Sequence, residues 1–195
     1  SIELLRDHGG EMSAEERTRF LGMVDADAKR LEQLVRRLLE LARADVMKVG
    51  DERAALAEVL TATCARHREA GLDAEVLAGQ PVLAVAMAPE TLDSIVSSLL
   101  DNARQHAGAQ TQVRLRWALE DGQAAIYVTD NGGGISAANV PKVFEPFFTT
   151  ARKTGNTGLG LSIIRSLLVA HRGDVSLVPS EQGASFRVRL PQANA

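Results

Sequence analysis

An asparagine inside a helical pattern, an aspartate at the end of an apolar run and two glycine clusters follow one another in this sequence. Asp130 sits in YVTDNGGGI, directly after alternating apolar residues and just before Gly132 and Gly134. A carboxylate at a strand end can accept a hydrogen bond from the amino group of adenine, and glycines behind it let the backbone approach the ring. Asn102, in SLLDNARQHA, offers an amide oxygen that can ligate Mg²⁺ while the ion keeps waters and shares the substrate's phosphates. In TGNTGLGLSI, Gly158-Leu159-Gly160-Leu161 opens an apolar helix, where small residues admit phosphate to the N–H groups at the positive helix end. Taken singly, each has an ordinary structural use. DNG and GGG form turns, an asparagine caps or solvates a helix, and a lone Gly-x-Gly serves as a cap.

Between Gly134 and Gly158 runs a loop-rich stretch holding VFEPFFTT. Long loops inside compact domains tend to be lids or binding loops. Phe144, Phe147 and Phe148 either anchor such a lid on a sheet or are plain core aromatics. Arg152 and Lys153 either pair with phosphate oxygens or are solvated surface.

These residues need a scaffold, and the surrounding pattern predicts one. Leu56 to about Glu69 reads as a helix ended by Gly71, then Leu72–Leu77 and Val82–Ala86 as short strands around Gly79-Gln80-Pro81. Pro89 suits the first turn of the helix that carries Asn102, whose apolar face is Leu92, Ile95, Val96, Leu99, Leu100 and Ala103. Val113, Leu115, Trp117 and Leu119 alternate as a half-buried strand, Asp121-Gly122 is a two-residue hairpin signal, and Ala124, Ile126 and Val128 alternate on the return. Leu161–Ala170 is a further apolar helix, and Val175–Val178 and Ser185–Leu190 close the chain as strands around the Gly183 turn. The order predicts an α+β fold, a two-layer α/β sandwich with helices on one face of a mixed sheet.

The N-terminal quarter has another character. Residues 1–7 read as the last turns of a helix broken at Gly9-Gly10, after which Ser13 and Glu16 form a capping box. From Ala14 to about Asp45 there is no proline, and Phe20, Val24, Leu31, Leu34, Val35, Leu38 and Leu41 recur at helical spacing. Such a helix has roughly 30 residues and a length of about 45 Å. Its apolar stripe implies a partner helix, docking on its own domain being the alternative. The domain boundary is placed after Val49-Gly50-Asp51, dividing the chain into a helical region, 1–50, and an α/β domain, 51–195.

Bulk properties narrow the class. The 195 residues suffice for one domain and an appendage, and 45% hydrophobic with 24% charged residues is ordinary for a globular protein. A net charge of −3 gives no general pull toward nucleic acid or anionic lipid. Cys64 is the one cysteine, so neither an internal disulfide nor a C-x-x-C zinc site can form. No apolar run approaches the roughly 20 residues that cross a bilayer, and SIELLRDHGG lacks the parts of a signal peptide. The chain as given is expected to be soluble and cytoplasmic, with any membrane anchor in segments of a longer parent.

In combination the residues point one way. Asn on a helix, then Asp-x-Gly-x-Gly, then Phe-x-Pro-Phe-Phe, then Gly-x-Gly-Leu resembles the catalytic ATP-binding domain of sensor histidine kinases, a Bergerat-type ATPase fold related to gyrase and the mismatch-repair ATPases. The resemblance covers about Arg53–Pro191 and extends to the preceding helix. DNGGGI, VFEPFFTT and TGLGLSI match with the family's spacing, and GASFRVRLP matches its closing strand, with Ser185 where a threonine is usual. The resemblance implies that Asp130 binds adenine, Asn102 holds Mg²⁺, and Gly132, Gly134, Gly158 and Gly160 shape the pocket and lid hinges. It implies further that Phe147, Phe148, Arg152, Lys153, Thr157, Leu159, Leu161 and Ser185 belong to the site for ATP or ADP. By the same resemblance, Ala14–Asp45 is the second helix of the dimerisation and histidine-phosphotransfer hairpin, pairing with its twin in a four-helix bundle, and the partner is a response-regulator receiver domain.

The departures bear on mechanism. Ser98 stands where histidine kinases usually carry another asparagine and gyrase-like ATPases a general-base glutamate, which disfavours hydrolysis by the gyrase route. Gln105 replaces a common basic residue, so phosphate grip is weaker or borrowed from the lid. Nothing matches the His-Glu-x-Arg-Thr-Pro acceptor motif around His8, His67, His106 or His171. The chain is therefore read as a piece that begins after the acceptor and does not phosphorylate itself. The rival reading, motivated by Ser98 and Gln105, is a signalling scaffold with a degenerate pocket and no kinase activity. A serine kinase acting on an anti-sigma antagonist shares the pocket but should lack the long helix.

Overall fold

The computed structural model describes residues 13, 15, 18, 21, 22, 52–77, 84–106, 108, 110–150 and 157–193. The chain divides into two compact units, Ser1–Glu40 and Leu41–Ala195. In the first, residues 15, 18, 21 and 22 are helical. The rest of the expected Ala14–Asp45 helix, the Gly9-Gly10 break and the boundary after Asp51 lie outside the described residues.

The second unit runs β1 (Ala54–Ala55), α1 (Leu56–Glu69), β2 (Asp73–Val76), β3 (Ala84–Val85), α2 (Pro89–His106), β4 (Gln112–Glu120), β5 (Gln123–Asp130), a 3₁₀ turn (Val140–Lys142), α3 (Gly160–Ala170), β6 (Asp174–Val178) and β7 (Ser185–Pro191). Five strands form one sheet in the order β2-β4-β5-β7-β6, in which β2 and β4 are parallel and the other neighbours antiparallel. One expectation needs correction. The strand expected at Val82–Ala86 does not join this sheet: β3 pairs with β1 in a separate two-stranded ribbon, held beside the end of β7 by the Ala86 N–H donating to the Pro191 carbonyl.

Alternation decides which face is covered. Val113, Leu115 and Trp117 on β4 pair with Asp130, Val128 and Ile126 on β5, and the last two with Phe186 and Val188 on β7. All of these are buried, against α1, α2 and α3 on the one face. Each fully buried side chain of this size contributes about 1.5–3 kcal/mol relative to exposure. The β4–β5 hairpin turns on Asp121 (φ 50°) and Gly122 (φ 76°), the two left-handed residues a type I′ turn requires. Helix α1 ends in a Schellman motif, with the Leu72 N–H donating to the His67 carbonyl and Gly71 to Arg68, both at 2.9 Å. It is tied to α2 by Arg66, whose Nη2 lies 2.6 Å from Asp93 Oδ1. On the buried face of α1, Cys64 is 1% exposed. Burial pushes its thiol up to about 11, against a smaller downward pull from Arg68.

Candidate functional site

The site begins where β5 stops. Asp130 is buried, at 9% exposure, and its main-chain N–H donates to the Ala184 carbonyl at 3.0 Å. Its carboxylate accepts the Gly132 N–H at 2.9 Å and the Ala184 N–H at 3.1 Å, both on Oδ1. Those two bonds orient the group and leave Oδ2 as its remaining acceptor. Asn131 holds the surrounding backbone. Its Oδ1 accepts the Gln112 N–H at 2.8 Å, its Nδ2 donates to the Gln110 carbonyl at 3.2 Å, and its carbonyl accepts Gln182 Nε2 at 3.1 Å. One residue thus ties together the start of β4, the end of β5 and the β6–β7 turn. The polar pair Asp130-Asn131 after an apolar strand is a signal that points to such side-chain-to-backbone bonding. No sequence pattern marks Ala184 or Gln182.

Helix α2 supplies the second wall. Its residues Ser98, Asn102 and His106 follow at four-residue spacing and so share one row. This row lies away from the flank where Asp93 and Ser97 meet Arg66. Asn102 is half-buried and its amide is one turn from His106. Withdrawal from water lowers the His106 pKa from its ordinary value, and the field of Asp130 opposes that shift. Helix α2 packs against β5, the strand that ends at Asp130. His171, by contrast, is buried at the end of α3 with Nδ1 2.9 Å from the Leu167 carbonyl.

The loops close the arrangement. Gly158 has φ 69° and packs so tightly on the Phe147–Phe148 peptide that a Cβ there would lie 2.6 Å from Phe148 O. Phe147 itself is left-handed (φ 65°) and 58% exposed, whereas Phe144 stands edge-to-face on Phe186 with ring centroids 6.3 Å apart. The FEPFF segment therefore anchors through its first phenylalanine and strains its backbone at the fourth position. Helix α3 starts at Gly160, as expected from the Gly-Leu-Gly-Leu run; Leu159 is buried, Thr157, Gly160 and Leu161 are half-buried, and no acidic side chain sits in the first turn. Arg152 and Lys153 lie outside the described residues.

Ser185 departs from expectation. Its Oγ lies 2.7 Å from Thr129 Oγ, its cross-strand partner, on the opposite face of the sheet from Asp130 and Val128. The residue that bonds Asp130 is Ala184, just before β7, through its backbone.

Residues 87–194 match the family described as histidine kinase-, DNA gyrase B- and HSP90-like ATPase. The chain is 35% identical over 182 residues to the probable sensor histidine kinase TcrY of Mycobacterium tuberculosis, covering 88% of this chain and 38% of that protein. It is 38% identical over 104 residues to the signal transduction histidine-protein kinase AtoS of Escherichia coli, covering 52% of this chain and 17% of that one. Among solved structures, the mycobacterial sensor histidine kinase MprB aligns with a TM-score of 0.63 at 27% identity over 74% of this chain and 99% of its own. Full-length ShkA in complex with AMPPNP aligns with a TM-score of 0.72 at 26% identity over 94% of this chain and 40% of its own. The chain thus spans less than half the length of TcrY and AtoS.

Proposed function

The chain belongs to the histidine kinase-, DNA gyrase B- and HSP90-like ATPase family, and from that premise we propose that it is the ATP-binding catalytic portion of a sensor histidine kinase. The parent protein moves the γ-phosphoryl group of Mg-ATP to one of its own histidines, for relay to an aspartate of a response-regulator receiver domain. The observation that carries this reading is the buried Asp130 carboxylate, one oxygen fixed by two backbone N–H groups and the other free to accept from the adenine amino group.

Asn102 would hold Mg²⁺. Among the described residues no cluster of three His, Cys, Asp or Glu side chains is built to bind a metal. A single amide oxygen suits an ion that takes its other ligands from phosphates and water, as Mg²⁺ does. When bound, the ion neutralises phosphate charge. Gly158, Leu159, Gly160 and Leu161 present the N-terminus of α3 to the phosphates, Gly132, Gly134 and Thr157 shape the loops, and Phe147 and Phe148 carry the lid, with Arg152 and Lys153 on it. Catalysis then rests on positioning and charge neutralisation. Ser98 is no general base, which favours transfer over hydrolysis. The helix within 14–45 pairs with that of a second copy. No described helix is long and apolar enough to cross a membrane, and we place the chain in the cytoplasm, anchored only if its parent is.

Calorimetry with Mg-ADP will give a saturable isotherm; no heat at millimolar nucleotide favours the degenerate scaffold. Incubation with γ-labelled ATP will leave this chain without acid-labile label, because the acceptor motif matches around none of His8, His67, His106 and His171. Stoichiometric label sinks that reading. Asn102→Ala will remove the strengthening that Mg²⁺ confers on ADP binding, roughly 10-fold, while leaving metal-free affinity near that of the parent. Equal metal dependence in both proteins would release Asn102 from the role.

A further inference from the structure

Gly183 lies in the turn between β6 and β7, 53 positions from Asp130 by sequence number. Its φ is 70°, and a Cβ built on it would overlap the Asp130 carbonyl oxygen and lie 2.5 Å from Asp130 Oδ1. Real Cβ atoms essentially never come within 3.0 Å of another heavy atom. The neighbouring Ala184 N–H is one of the two donors on that same Oδ1. On its other side the Gly183 carbonyl faces Gly134, where a Cβ would lie 3.0 Å away. Three peptides are therefore stacked in contact, Asp130, Gly183 and Gly134, with no room for a side chain between them.

We propose that Gly183 is a positioning residue for Asp130 and thereby sets the base specificity of the pocket. This rests on the reading of the site as an adenine pocket. The bare Cα lets the β6–β7 turn close on β5 until the Ala184 N–H reaches Oδ1. With Gly132 it occupies that oxygen, and Oδ2 becomes the acceptor offered to the base. A side chain at 183 forces the two turns apart. The carboxylate then loses a donor and its fixed orientation, and with it the ability to tell a 6-amino purine from a 6-oxo one. A site that presents a fixed acceptor rejects a ligand lacking the donor, because its polar group is left unpaired.

The test compares Mg-ADP with Mg-IDP, which carries a 6-oxo group and a protonated N1. The parent chain should prefer ADP by roughly 10- to 100-fold. Gly183→Ala should weaken ADP and bring the two affinities within about 3-fold of one another. Gly122→Ala is the control: it imposes the same left-handed strain (φ 76°) with nothing within 4 Å, and should keep the parent's ratio. If the parent discriminates and Gly183→Ala discriminates equally, the positioning role falls and the adenine reading stands. If the parent does not discriminate, the adenine reading falls and takes the proposal with it. Should Gly183→Ala fail to fold, Gly134→Ala presses on the same carbonyl more gently, and a roughly 3-fold loss of the ratio is expected; an unchanged ratio overturns the proposal.

Discussion

Asp130→Asn will weaken Mg-ADP binding by roughly 100-fold and reverse the preference between ADP and IDP, with the fold intact. The reasoning is geometric. In the parent, Oδ1 accepts two backbone N–H groups, from Gly132 and Ala184. An asparagine has one oxygen, and those two donors will claim it. The amide NH₂ is then forced into the place of Oδ2, where it meets the adenine amino group donor to donor. A 6-oxo purine meets the same NH₂ as an acceptor and binds better than before. Calorimetric titration with both nucleotides checks this, and a variant that still prefers ADP by the parent's margin removes Asp130 from the base contact. Because the replacement is nearly isosteric, melting temperature should move little, which separates loss of recognition from loss of structure.

Phe186→Ala will destabilise the domain by about 3–5 kcal/mol, the range for emptying a buried aromatic site. Phe186 is 2% exposed, pairs with Val128 and Leu177 across the two neighbouring strands, and carries the edge-to-face contact with Phe144. For a domain of this size, the loss lowers the melting temperature by about 10 °C. Phe144→Ala, from a half-buried position, should cost less stability, yet the loop from Val140 to Phe148 then loses its anchor and proteolysis in that segment should accelerate. A Phe186→Ala protein that melts within about 2 °C of the parent would show that the cavity collapses freely, contrary to the packing described.

How much of this was legible in the residues themselves differs by level. Helices α1 and α2 and the strand β4 declare themselves because each buries one face at a fixed period, and the Asp121-Gly122 turn by its residue types, whereas β5 is buried on both faces. The strand β3 falls inside the expected Val82–Ala86, but β1 and its pairing with β3 do not declare themselves, since two residues are too few to show alternation. At the site, Asp130 and the glycine runs announce themselves by residue type in a telling order. Ser185 shows the limit of that kind of reading. A closing-strand match identifies the strand, but the side-chain period is 2, and a shift of one residue moves a hydroxyl to the other face. Ala184 and Gly183 meet Asp130 through an approach between turns far apart in sequence; the local pattern marks Gly183 as a turn but records nothing of that contact.

The solitary thiol of Cys64 has a practical corollary. Sealed on the buried face of α1 and held in its protonated form at neutral pH, it will ignore maleimides and disulfide reagents while the domain stays folded. A cysteine introduced on the surface would then take a fluorophore or spin label alone, so nucleotide binding could be followed by spectroscopy without first deleting the native sulfur.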